Sequence, residues 1–596
     1  MFVEISLIVS IAILAAGCIA SAALCRLPYR RGRSLSATNC MTVTVFISAF
    51  VLLCPLFAQD FEPGIDGVFK TLMIALHTTI RLFVMDGDFV IVLDYLPLLE
   101  AGTAQVYSCL AAVLYIMAPM MTFGVILSFF RNVTAYRALY THFRRELYVF
   151  SQLDEKAVCL ARSIKDHDRR STVVFTGVDL DGDTQGELLE DARELGAICF
   201  GKSITEINWN YSKVSRKVFL FALGEDEGAN LDLSVSLAER YGDLENFTLF
   251  VFASGAESEM LFSAGSGEGM RIRRIDPIRT MVEHNLYREG GVFFQNALDI
   301  GEPEKLIRVV LLGLGRYGTE MLKALPWLCQ MDGYRLEVHA FDRDPDALDR
   351  FTALCPELMA PERNGTEVPG EARYRITIHS GVATESMTFQ KLYRELGRVS
   401  HVFVALGDDS RNIKNAVTMR MLSERMGTHP TIQALVQASG KKEALGKITD
   451  YRGHAYDIDF LGDTESCYAR DVMVESALYQ AALQRHLKWG REREFWAYEF
   501  NYRSSVASAI HFEMRRLCGM TGAGKKEEEL TPEERDALEV LEHRRWNAYM
   551  RSEGYVFSGS TDKASRNDLA RAHNDLVPFE RLSEEEKRKD SAIGTM

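Results

Sequence analysis

Residues Leu306–Gly318 read LIRVVLLGLGRYG. The apolar run Leu306–Leu312, broken only by Arg308, has the pattern of a strand buried on both faces. Gly313, Gly315 and Gly318 follow it, and a helical pattern runs on from about Thr319 to Leu328. The next strand pattern, Leu336–Phe341 (LEVHAF), ends at Asp342, 24 residues after Gly318. Each of these positions has a physical role. Gly313 permits the tight turn, Gly315 lets the backbone approach a diphosphate, and Gly318 lets the helix lie close on the sheet. The unpaired amides at the helix start favour an anion. Asp342 stands within reach of a ribose hydroxyl pair, while Arg343 beside it would suit a phosphorylated ribose. Arg316, inside the turn, joins them as a candidate contact. This order of strand, turn, helix, strand and acid predicts a Rossmann-like α/β unit holding NAD(H) or another adenine nucleotide.

No acid/base constellation for hydride transfer follows the turn, so the expected nucleotide is a regulator rather than a reactant. No catalytic set and no metal site are expected. His339 and His401 fall in strand patterns, where structural roles are the default. His379, Ser380 and Gly381 follow the strand Tyr374–Ile378 and are placed to line a pocket.

Working outward, His401–Leu406 (HVFVAL) is followed by Gly407, Asp408, Asp409 and Asn412, a helix, the strand Thr431–Gln437, then Ala438, Ser439 and Gly440. The same order occurs earlier. Val218–Leu223 (VFLFAL) is followed by Gly224, Glu225, Asp226, Glu227, Asn230, a helix, the strand Thr248–Phe252, then Ala253, Ser254 and Gly255. We read an internal duplication. The first copy, assigned to 168–300, begins with the strand Ser171–Val178 and has only Gly177 where a glycine turn is sought. Its role is expected to be structural. The second copy is assigned to 301–500. Residues 131–167 are expected to be a helical linker.

The second copy resembles the TrkA-N family, also called the regulator of potassium conductance. The residues that carry the likeness are GLGRYG with Asp342, then VALGDDSRN and a helix. The resemblance implies a nucleotide-binding domain that gates an attached channel or transporter, with Gly313, Gly315, Gly318, Asp342 and Asp408 lining the ligand site. It also implies a homo-oligomer, a dimer or tetramer.

After the charged linker GAGKKEEE (Gly522–Glu529), a helix is expected from Pro532 to about Arg551, ended by Gly554. Ser583 with Glu586 reads as a capping box. Residues 525–596 carry His543 and Trp546 on the helix, Gly554 with Tyr555, the stretch HNDLVPFERLS and a closing Lys589 and Asp590. They resemble the repeat domain named after the ryanodine receptor. That resemblance implies a small helical ligand-binding or interaction module, found in bacteria with nucleotide-signalling and defence systems. Glu542, Arg545, Trp546, Tyr549, Tyr555 and His573 are the candidates for a second pocket, since aromatic faces and arginine suit a base and a phosphate. Leu576 and Phe579 are expected to pack as core.

The opening 130 residues are of a different kind. Phe2–Cys25 is almost uninterrupted apolar, long enough to cross a bilayer. Glu4 stands where a cleaved signal would carry basic residues. Further apolar runs cover Thr38–Ala58 and about Ala104–Phe130. Basic clusters (Arg26, Arg30, Arg31 and Arg33, then Arg131, Arg137, Arg144 and Arg145) mark the cytoplasmic side by charge bias. Between the second and third runs lie acids (Asp60, Glu62, Asp66) and a mixed stretch with Lys70, His77 and Arg81. Three spans with a re-entrant or interfacial piece are expected, or four if the charge rule is broken once. Asp86 and Asp88 are the candidates for an acidic pore mouth. No TVGYG sequence occurs, which disfavours a conventional potassium filter.

The formal net charge of −14 and the lack of a long basic run argue against a nucleic-acid partner. Eleven scattered cysteines without a CxxC read as free thiols of a reducing compartment. The expected whole is a multi-pass protein of a bacterial inner membrane, with its large C-terminal region in the cytoplasm. Its expected function is an ion channel or similar effector gated by a nucleotide-type ligand. The alternatives are a non-conducting sensor that controls a separate transporter, and a membrane-bound NAD(P)-dependent oxidoreductase.

Overall fold

The computed structural model describes residues 2–26, 33–59, 61, 64–129, 131–141, 145–180, 186–211, 216–255, 258, 269–361, 372–438, 445, 449–520, 525 and 527–587. Arg30 and Arg31 of the first basic cluster, Arg144 of the second, Asp60 and Glu62, Ser439 and Gly440, and the closing Lys589 and Asp590 lie outside the described residues. The chain divides into two compact units, one of Met1–Phe143 with Val178–Gly201 and one of Arg144–Gly177 with Lys202–Met596.

In the first unit, three helices are long and apolar enough to cross a membrane, over Val3–Ser21, Cys40–Phe57 and Ala101–Phe123. The first two meet through small and hydroxyl-bearing residues. Ser10 Oγ donates to the Ser48 carbonyl and Ser48 Oγ to the Ser10 carbonyl, each at 3.1 Å. A Cβ added at Gly17 would fall 2.2 Å from Thr44 Cγ2. This is how apolar helices associate where no hydrophobic force distinguishes helix from lipid: backbones approach closely and hydroxyls bridge. Tyr107 Oη donates to the Leu52 carbonyl at 2.6 Å and ties the third helix to the second. Between them lie the helix Ile65–Phe83 and a short helix Val90–Tyr95. The outer face of Ile65–Phe83 exposes Ile65, Val68, Phe69 and Met73.

The chain also carries two six-stranded parallel sheets. The strands of the first are β1 (Leu147–Phe150), β2 (Thr172–Phe175), β3 (Ile198–Cys199), β4 (Val218–Ala222), β5 (Phe247–Phe252) and β6 (Arg271–Ile275), in the order β3-β2-β1-β4-β5-β6. The second has β7 (Lys305–Leu312), β8 (Tyr334–Phe341), β9 (Tyr374–His379), β10 (His401–Val404), β11 (Thr431–Leu435) and β12 (Ile458–Leu461), in the order β12-β11-β10-β7-β8-β9. The two orders are the same when β1 is matched to β7 and each later strand to its counterpart. This is the doubly wound arrangement, whose strand order reverses beside the first strand and opens a crevice there. Rings of Phe150, Phe175, Phe221 and Phe250 stack across neighbouring strands of the first sheet, with centroids 4.7–5.2 Å apart.

The expected linker over 131–167 is corrected by the structure. Arg131–Thr141 is a helix, but Leu147–Phe150 is a central strand and Glu155–His167 is the helix after it. The first copy therefore starts near residue 147, not 168. Four residues, LYVF, are too few to show a period, and their burial on both faces removes the alternation that marks a half-exposed strand. The strand containing Thr172–Phe175 is the second of its sheet, so Gly177 corresponds to the end of β8, not to the glycine turn.

The second sheet ends at Leu461. The helices Ala477–His486 and Glu499–Leu517 beyond it pack together and against Pro277–Glu289 and Pro532–Ser552. Pro532–Ser552 begins with Thr531, whose hydroxyl accepts from Glu534 N at 3.2 Å, while the Glu534 carboxylate accepts from Thr531 N at 3.1 Å. This reciprocal cap satisfies two otherwise unpaired amides. The helix ends at Gly554, whose φ of +80° only glycine adopts without strain. A short strand pair follows, Val556–Phe557 with Ala572–His573.

Candidate functional site

The glycine turn lies at the end of β7, beside β10, at the point where the strand order of the second sheet reverses. The three glycines differ in what demands them. Gly313 has φ +94°, and a Cβ there would lie 2.4 Å from the Ala405 carbonyl oxygen. A Cβ on Gly318 would lie 1.9 Å from the Gly313 carbonyl oxygen. Both are required by backbone packing alone. Gly315 is different: its φ is −68°, and a Cβ there would meet nothing within 4 Å. No packing reason calls for glycine at this place, which caps the helix Arg316–Leu328. The first turn of that helix holds no acidic residue. Open space over a helix start whose own first turn carries no carboxylate is what an approaching phosphate needs.

Asp342 stands beside this space. Its Oδ2 accepts from Leu314 N at 2.6 Å and its Oδ1 from Asp344 N at 2.8 Å. It thus pins the end of β8 to the glycine turn. A carboxylate has about four lone-pair positions, so two remain for ribose hydroxyls. Arg343 is exposed next to it. Asp408 accepts from Arg411 N at 2.9 Å and caps the helix Asp409–Arg425. Its position follows from helix capping whether or not a ligand is present. Arg316 reaches across to Glu227 of the first copy, 3.7 Å away.

The first copy carries no equivalent of this cradle. Ser151, Gln152, Leu153 and Asp154 stand between β1 and its helix. Asp154 accepts from Ala157 N at 2.7 Å, so a carboxylate occupies the helix start. That charge would repel a phosphate. The remaining features are common to both copies. Asn230 Nδ2 donates to Phe252 O at 2.9 Å, and Asn412 Nδ2 to Leu435 O at 2.8 Å. Glu227 accepts from Ser254 N (3.0 Å) and Gly255 N (3.1 Å), as Asp409 accepts from Gln437 N (2.9 Å) and Ala438 N (3.2 Å). The asparagine and the acid are staples between adjacent strand ends.

A second candidate site is a cavity of about 540 Å³ where Ala477–His486 and Glu499–Leu517 meet the C-terminal module. Arg485, Trp489, Phe500, Arg545, Trp546 and His573 are among its lining residues. Of the six residues expected in a C-terminal pocket, Arg545, Trp546 and His573 line it. Glu542 does not: it is buried behind the wall, accepting from Arg545 at 2.9 Å and Ser508 Oγ at 3.3 Å. Tyr549 is buried one turn further on, beside Trp327. Tyr555 packs its ring toward Phe500 and His573, outside the lining. Arg485, Trp489 and Phe500 escaped the sequence reading because they precede the module by tens of residues, and no local spacing connects them to it.

Trp546 sits between two histidines, 5.8 Å from the His543 ring and 5.0 Å from that of His573. Burial lowers His573 to about 4, so its ring is neutral at ordinary pH. Its Nδ1 accepts from Asp575 N at 3.1 Å. His379 follows β9 and stacks on Phe341 at 4.3 Å, with its Nε2 3.4 Å from His339 Nδ1. Among the described residues no group of three or more His, Cys, Asp or Glu is arranged to hold a metal.

No family model matches this chain, and no curated protein matches it. Among solved structures, one dipicolinate synthase chain from Bacillus halodurans is similar over 56% of this chain and 94% of its own, at 12% identity and a TM-score of 0.19.

Proposed function

We propose that this chain is a nucleotide-responsive membrane protein, in which a ligand held at the glycine turn of the second sheet controls the apolar helices of the first unit. The observation that carries this reading is Gly315, a glycine with open space where a side chain would stand, at a helix start beside Asp342. The residues present fit an adenine dinucleotide or nucleotide: amides of the turn for the phosphates, Asp342 for the ribose, Arg316 or Arg343 for further negative charge. Bound there, the ligand acts by preferring one conformation of the chain over another, with no covalent step. Arg316 is the residue placed to report it, since phosphate at the turn would compete with Glu227 for its guanidinium. The charge bias of the basic clusters supports a cytoplasmic position for the sheets. The resemblances to the potassium-conductance regulator and the ryanodine-receptor repeat support ion permeation as the output, and bacterial stress or antiviral signalling as the setting.

A specific observation favours the non-conducting alternative. Arg81 Nε holds Asp86 at 2.8 Å, and Asp88 accepts from Val90 N at 2.9 Å, so both carboxylates have local structural work. Ion flux into liposomes carrying the purified protein, with NAD+, NADH, ATP and ADP added in turn, tests the proposal. Flux that rises with one of them and is lost in Gly315→Asp supports it. Nucleotide binding without flux would leave the sensor and remove the channel.

A further inference from the structure

The cavity at the C-terminal module has an unusual floor. Arg485 and Arg545, only 4% and 2% exposed, both line it. They converge with buried Arg515 on the single carboxylate of Glu542. Arg545 gives Nε and Nη2 to Glu542 Oε1, at 3.2 and 2.9 Å, while its Nη1 has no hydrogen-bond partner among the described residues. Arg485 Nε donates to Ser508 Oγ at 3.4 Å. Burial, together with repulsion from Arg515 and Arg545, holds Arg485 down at about 9 even with Glu542 opposite. A buried guanidinium with an unmade hydrogen bond is costly, and an anion that completes the set removes that cost.

The walls supply a second kind of chemistry. Trp489, Phe500 and Trp546 present aromatic surface, and Trp489 is 42% exposed. Asn501, Asn574 and Ser504 add neutral donors and acceptors. The acids in the wall already have partners: Glu586 pairs with Lys563 at 3.0 Å, and Asp575 accepts from Asn574 Nδ2 at 2.6 Å. A volume of about 540 Å³ falls in the range of small-ligand pockets.

We propose that this cavity is a second ligand site, distinct from the glycine turn, which takes a nucleotide: phosphate against Arg485 and Arg545, base against Trp489 and Trp546. Glu542 is a positioning residue that keeps the guanidiniums charged and oriented. The site needs the helices at 477–517 as well as the C-terminal module, so neither alone would hold the ligand.

The test is titration of the full chain in detergent with ADP, adenosine and inorganic pyrophosphate. It is done in a Gly315→Asp background, which puts a carboxylate over the other site. ADP is expected to bind there, with adenosine and pyrophosphate each at least about tenfold weaker, because each lacks one half of the recognition. Trp489→Ala and Arg485→Met should each weaken ADP about tenfold or more, and Ser504→Trp should block it by filling the cavity. Trp489 is a surface residue, so its variant should keep the wild-type melting temperature. ADP binding that vanishes in Gly315→Asp alone would overturn the proposal, as would adenosine binding as tightly as ADP. Indifference of ADP binding to both Trp489→Ala and Ser504→Trp would overturn it too.

Discussion

Replacing Gly315 and Gly318 by alanine, one at a time, separates what the glycine turn does for folding from what it does for a ligand. At Gly318 the new methyl would sit 1.9 Å from the Gly313 carbonyl oxygen, well inside van der Waals contact, and the obstacle is backbone that cannot rotate away. The helix must lift off the sheet by more than an ångström, an overpacking cost of about 1–3 kcal/mol or more. At Gly315 the methyl meets nothing within 4 Å and φ is −68°. The lost preference for glycine at an N-cap is offset by the reduced freedom of the unfolded chain, each worth less than about 1 kcal/mol. For a domain of this kind 1 kcal/mol shifts melting by roughly 2–4 °C. Gly318→Ala should therefore lower the melting temperature by about 2–12 °C, while Gly315→Ala, its two small terms offsetting, stays near wild type by scanning fluorimetry. Nucleotide affinity should fall in Gly315→Ala despite its intact fold. Equal destabilisation by the two variants would refute the argument, because Gly315 would then be a packing glycine like its neighbours.

Three further outcomes follow from the structure. Asp342→Asn converts one of two accepting oxygens into a donor facing Leu314 N or Asp344 N, so it should cost about 1–3 kcal/mol, read as a lower urea midpoint, and weaken nucleotide binding as well. Gly17→Leu would drive a side chain into Thr44, already 2.2 Å from a bare Cβ, and should separate the first two helices; a cysteine pair at Ser10 and Ser48, which are hydrogen-bonded across the interface, should lose its oxidative cross-link in that variant. Acid should unfold the soluble region early. Burial lowers His284 and His573 to about 4 and His401 and His511 to about 3, so the native state keeps them neutral while the unfolded chain takes up protons below about 6.5. Their contribution is complete above that pH and is lost on acidification, each by up to about 1.4 kcal/mol per pH unit. Glu283, raised to about 7 by burial against the pull of Arg279, works the other way: its contribution is lost as pH rises from about 4.5 to 7. Urea midpoints measured from pH 8 to pH 5 should therefore fall; a midpoint that rises toward pH 5 would contradict the burial of these histidines.

What the sequence revealed depended on whether the relevant signal was local. The second sheet was legible because β7, the glycine turn, its helix and β8 succeed one another without interruption, and each has its own periodicity. The three apolar helices were legible for the same reason. β1 was hidden because four apolar residues between helices show no period, and only the strand order exposes them as the counterpart of β7. The cavity was half legible. Trp546 and His573 belong to a recognisable local pattern, but Arg485 and Trp489 reach the same cavity from another helix, and no spacing within the chain announces that meeting. Glu542 lies on the helix where the sequence places it, but one turn of helix decides whether a carboxylate faces the cavity or the arginines behind it, and it faces the arginines.

The two copies, compared position by position, act as an internal control on the candidate ligand site. Both keep the asparagine that ties one strand end to its neighbour, Asn230 and Asn412, and both keep the acid that accepts two amides from the following loop, Glu227 and Asp409. These features hold a doubly wound sheet together whether or not anything binds to it. The copies part company at the turn after the first strand. One has Gly315 over an open helix start, and the other has Asp154 with its carboxylate on the helix amides. Since the fold tolerates either, the fold does not explain the glycine. The pair Arg316–Glu227 joins the copy whose helix start is open to the copy whose helix start holds a carboxylate. Under the proposed function, a phosphate at the glycine turn competes with Glu227 for Arg316, which would couple occupancy there to the contact between the two sheets.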